Sequence, residues 1–172
     1  MYKDLVITTK GDSIQCNINP FPAIGAIKYK SAAMVKPEKL DPAKVKEYFT
    51  FGSKVDVRAV FIDNSKTPVY MKVVEKGKIC LYEKADLCAI CSGANASEIS
   101  DDDWYIAKGT DHVTCFKTIG ISFARQKRKN DFAQLLKDNQ VIYDKYLAED
   151  KFSFVAIRNF VHLYNTGEPL KN

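Results

Sequence analysis

Cys88 and Cys91 stand in a C-x-x-C spacing within DLCAICSG, and His112 and Cys115 follow as H-x-x-C after twenty intervening residues. Three thiolates and one imidazole would complete a closed tetrahedral Cys₃His site, the donor set that zinc favours. Gly93, just past Cys91, suits the tight knuckle such a first pair occupies. The second pair is less suited, because DHVTCFK reads as a strand. Residues three apart on a strand point to opposite faces, so His112 and Cys115 could share an ion only across a bulge or turn. Thiol exchange at Cys88 and Cys91 is the other chemistry this spacing allows. It needs a helix N-terminus to lower the thiol pKa, and CAICSGANAS leads into no helical pattern. Plain buried or loop thiols are the alternative to both chemistries.

The remaining polar groups suggest less. RQKRK supplies a second candidate site, for polyanions, at Arg125, Lys127, Arg128 and Lys129. The competing reading is a solvated helix face. Asp101 to Asp103 lack the alternating order of a calcium loop. Asn95-Ala96-Ser97 matches a glycosylation sequon. His162 is expected as a solvated surface side chain beside an exposed Arg158. Phosphate-binding glycine loops and nucleophile elbows are missing from the sequence. The expectation is therefore a protein that is not an enzyme.

The elements that would carry these residues follow a simple order. Ile14, Cys16 and Ile18 alternate with polar neighbours after a Gly11-Asp12 break, which predicts a hairpin. AIKYK, VDVRAVFI, VYMKVV and ICLYEK read as further strands, and WYIAKG with HVTCFKTI as another hairpin. Asp41-Pro42 predicts a helix start and about two turns of helix. Residues 86 to 103 read as a long surface connection.

From Ser122 the composition turns helical. Phe132, Leu135 and Leu136 share one face, and Tyr143, Tyr146 and Leu147 mark a second helix. Ser153 caps a third helix, with Phe154, Ile157, Val161 and Tyr164 spaced three, four and three apart and Gly167 as its stop. The predicted class is α+β: an antiparallel sheet or partly rolled barrel over residues 1–118, and a three-helix segment over 119–172 packed on it.

Composition narrows the class further. Of 172 residues, 26 are basic and 21 acidic, a formal net charge of +5 that names no partner. No apolar run reaches the length of a membrane span. Nucleic acid is not expected, because no groove-entering motif or stacking platform is present. Five cysteines cannot pair completely within one chain.

The order DLVITTKGDSIQCNI, IKYK, KLDPAKVKEYFTFG and PVYMKVVEKGKICLYEK resembles a group of exported proteins from Bacteroidota. The closing helices, ending at the Tyr164-Asn165 pair, are similar to that group's tail. The resemblance implies a periplasmic or envelope-associated protein whose export signal is not part of this chain. It carries over no catalytic residue and does not include CAICSG. The expectation is a non-enzymatic envelope module binding a protein or glycan. The alternatives are a small intracellular zinc protein using Cys88, Cys91, His112 and Cys115, or a thiol oxidoreductase using Cys88 and Cys91.

Overall fold

A computed structural model describes residues 2–19, 26–84, 104–116 and 122–171, and the side chains of all of these except 122–124. The connection over 86–103, with the sequon and the acidic triplet, lies outside the described residues. The fold is α+β, strands first and three helices last. The chain divides into two compact units, one within residues 2–73 and one within 74–83 and 104–171. Among the described residues, no helix is long and apolar enough to cross a membrane.

The first unit holds β1 (Asp4–Thr8), β2 (Ser13–Asn19), β3 (Lys28–Ser31), β4 (Glu38–Lys39), β5 (Val45–Thr50) and β6 (Val55–Ile62), with most of β7 (Val69–Glu75). Its strands run in the order β7-β6-β5-β1-β2-β3-β4, every neighbour antiparallel. Gly11 turns β1 into β2 at φ +93°, a conformation that glycine adopts at no steric cost. Alternation places Cys16 and Ile18 inward and Gln15, Asn17 and Asn19 outward. The Asp4 carboxylate accepts the Ile18 N–H at 2.7 Å and the Phe51 N–H at 2.9 Å, fastening β1 to β2 and to the turn after β5. Val6, Cys16, Tyr29, Val45, Tyr48 and Val57 are central to the buried cluster.

The helix expected after Asp41-Pro42 is replaced by one turn and a strand. The Asp41 side chain does accept the Ala43 N–H at 3.0 Å, and its carbonyl accepts from Lys44 and Val45. The chain then enters β5, where Tyr48 pairs with Val6 and with Val57. A register shift between Ile7 and Thr8 on β1 skips Lys46 and lets Val45 and Tyr48 both face inward. Strand pairing on both sides outweighs the local start signal.

The second unit contains β8 (Ile79–Lys84) as far as Glu83, β9 (Trp104–Lys108) and β10 (His112–Phe116), antiparallel in that order, then α1 (Ser122–Leu136), α2 (Gln140–Glu149) and α3 (Phe154–Thr166). Ile79, Leu81, Trp104, Ile106 and Phe116 meet Phe132, Leu136, Tyr146, Ile157 and Phe160 in one core. Trp104 stacks on Phe116 at 5.1 Å, and Tyr146 makes edge contacts with Phe132 and Phe160 at 5.0 and 5.2 Å. Ser153 caps α3 by accepting the Ala156 N–H at 3.2 Å, and Gly167 ends it at φ +78°. Ile142 and Tyr146 carry the buried face of α2, and Leu147 is exposed.

Candidate functional site

The cysteine-histidine set divides at the edge of what is described. Cys88 and Cys91 fall outside the described residues. His112 is exposed at the start of β10, and Cys115 is half-buried three residues on, with the pairing regular from Thr114 to Phe116. Among the described residues, no three His, Cys, Asp or Glu side chains cluster as metal ligands. Cys16 and Cys80 are buried in strands. Burial and the nearby Asp4 push the Cys16 thiol up to about 11, so it stays protonated at neutral pH. The Cys80 thiol donates to the Gly77 carbonyl at 3.3 Å.

RQKRK lies on α1, and most of its charge is engaged within the unit. Lys127 pairs with Asp131 at 3.0 Å, and Lys129 pairs with Asp150. Arg125 donates to the Phe152 carbonyl at 3.3 Å. The Arg128 Nε and Nη2 atoms are buried, with no hydrogen-bond acceptor among the described residues. Arg125 and Lys127 are exposed, whereas Arg128 and Lys129 are half-buried. The four cations therefore do not form an open row.

Three polar contacts fasten α3 within its unit. Glu75 accepts from Arg158 Nε at 2.8 Å and contacts His162 Nδ1 at 3.0 Å. His162, expected in solvent, is thus a half-buried partner of a carboxylate, because α3 turns that face toward the end of β7. Among the described residues no hydroxyl or thiol hydrogen-bonds its ring. Lys108 Nζ donates to the Leu135 carbonyl at 2.6 Å and to Asp138 at 2.7 Å, and lies 4.9 Å from the Tyr164 ring centroid. The Tyr164 hydroxyl donates to the same carboxylate. Hydrogen bonds from Lys108 and Tyr164 hold the Asp138 carboxyl at about 2. The Asn165 amide pairs with both main-chain groups of Ile79, at 2.7 and 3.0 Å.

Among the described residues, each unit presents a concave surface. In the helical unit, Val155, Ala156, Asn159, Phe160 and Leu163 recur along one face of α3, opposite Lys145 and Glu149 of α2. Past Gly167, Pro169 and Leu170 line a third side, enclosing about 310 Å³. Val155 is 65% exposed within this groove, and Lys151 stands on its rim. In the first unit, Tyr2, Asn17, Asn19, Lys28, Lys30 and Pro37 border a hollow of about 480 Å³.

Neither surface figured among the sequence-derived sites. Val155 and Leu163 carried the signal, as apolar residues off the buried stripe of α3. Asn17, Asn19, Lys28 and Lys30 were visible as the polar half of two alternating strands, but only the pairing register shows them as one surface.

Comparison with protein-family models, curated proteins and solved structures finds no match.

Proposed function

We propose that this chain is a non-catalytic binding module of the cell envelope that seats a short peptide segment of a protein partner in the groove between α2 and α3. The observation that carries this reading is an apolar floor open to solvent beneath a charged rim. Val155, Leu163 and Leu170 offer contact for an apolar side chain. A volume of about 310 Å³ suits one or two side chains rather than a folded surface. Lys145 and Lys151 outnumber Glu149 on the rim, and neither lysine has an ion-pair partner among the described residues. The complementary peptide carries an apolar residue beside a carboxylate. The resemblance to exported Bacteroidota proteins supports the envelope setting.

Fluorescence anisotropy with labelled Asp-Leu-Phe-Glu and Lys-Leu-Phe-Lys peptides, both capped, tests the reading. The acidic peptide should bind at least tenfold more tightly than the basic one. Val155→Asp, at an exposed position, should weaken it at least tenfold with an unchanged circular dichroism spectrum. No binding of either peptide, or full binding by the variant, would overturn the reading.

A further inference from the structure

We propose that the outer face of β2, β3 and β4, in the first unit, binds an acidic saccharide. The pairing register puts Asn17 opposite Lys30, Asn19 opposite Lys28, and Lys28 opposite Lys39. All five side chains are exposed, while the intervening Ile18, Tyr29 and Ser31 are buried, so the five share one face. Strand geometry spaces them about 5 Å across the strands and about 7 Å along them. The result is a grid of two amides and three ammonium groups.

Two features point to an anionic ligand. Lys28 and Lys39 are like charges directly opposite one another, an arrangement that costs stability until an anion relieves it. Glu38 is the sole acidic residue on these three strands. It pairs in register with Tyr29, where it interacts with the tyrosine hydroxyl, on the alternate side of the strand from Lys39. None of the three lysines has an ion-pair partner among the described residues.

Two further features point to a sugar. Each asparagine amide offers both a donor and an acceptor, the pairing that a sugar hydroxyl needs. Tyr2 borders the hollow of about 480 Å³ beside Asn17, Asn19, Lys28 and Lys30, where its ring can pack on the apolar face of a pyranose. The lysines meet carboxylates or sulfates on the same chain. A nucleic acid strand would be held by the lysines alone, since a single tyrosine gives no succession of stacking rings.

The test is a titration of the ¹⁵N-labelled protein with trigalacturonate, with neutral galactotriose and with a dT₁₂ oligonucleotide. Trigalacturonate should shift the side-chain amide signals of Asn17 and Asn19, and galactotriose should not. Lys28→Gln/Lys30→Gln should weaken binding at least tenfold, Asn17→Ala/Asn19→Ala at least threefold, and Lys127→Gln not at all. Absence of shifts at these amides in the unaltered protein would overturn the proposal without relying on any variant. So would equal affinity for dT₁₂ combined with full binding by the asparagine variant, which would reduce the face to an unspecific basic surface.

Discussion

The side-chain amide of Asn165 completes both main-chain hydrogen bonds of Ile79: Nδ2 donates to its carbonyl at 2.7 Å and Oδ1 accepts its N–H at 3.0 Å. The end of α3 is held on β8 as if the amide were one more residue of a neighbouring strand. Gly77 makes room for it, since a Cβ there would lie 2.3 Å from Asn165 Cγ.

Asn165→Ala strands two main-chain groups of the buried Ile79 and should cost about 2–4 kcal/mol in chemical denaturation. Gly77→Ala should destabilise by about 1–3 kcal/mol through overpacking. Because that clash is with the Asn165 side chain, the double variant should fall short of the sum by at least about 0.5 kcal/mol. Strict additivity would show that the contact is not shared.

Asp138 gives stability a defined pH dependence. Its folded carboxyl is lowered from 3.8 to about 2, chiefly by hydrogen bonds from Lys108 and Tyr164. A depressed folded pKa stabilises above the unfolded value, and that contribution is lost as pH falls from about 4 toward 2. Asp138→Asn should flatten the denaturation midpoint over this window relative to the parent. Identical slopes for the two proteins would contradict the assignment.

The sequence was most legible where local signals and pairing agree. Ser153 and Gly167 bound α3 as expected, because a cap and a left-handed stop act within one turn. Asp41-Pro42 was read as a helix start because its capping chemistry is local and real, whereas the partners that make β5 a strand lie about 40 residues back and about 10 ahead. His162 was placed in solvent because nothing near it in sequence announces Glu75, 87 residues away. The basic run on α1 looked open for the same reason: Asp150 and Phe152 come from a different part of the chain. The groove on α3 was the least legible, since it depends on how residues 169–170 return past Gly167.

Cys16 should be chemically silent in the folded protein. A thiol raised to about 11 from 9.0 has roughly a hundredfold less thiolate at pH 8 than an ordinary one. Alkylation by iodoacetamide, followed by peptide mass mapping, should therefore be at least about 100-fold slower at Cys16 in buffer than in guanidinium. A rate within a few-fold of the unfolded value would contradict the burial of this strand.

Glu75 should matter more than either partner. Its side chain is 12% exposed, against 37% for Arg158 and 25% for His162. Glu75→Ala removes both hydrogen bonds and leaves the guanidinium unmatched, at about 2 kcal/mol. Arg158→Ala should cost about half that, since its more exposed charge is better solvated. A neutral Glu75→Ala in equilibrium unfolding would contradict a fastening role.

Peptide binding in the groove between α2 and α3 is tested residue by residue in a ¹⁵N–¹H titration of the whole chain with the capped Asp-Leu-Phe-Glu peptide. A bound peptide should give saturable shifts of the backbone amides of Val155, Ala156, Asn159, Leu163 and Leu170, which line the groove. The same amides should stay still in Val155→Asp. Groove amides that remain in place at millimolar peptide, while the protein is folded and the peptide soluble, would contradict peptide binding there.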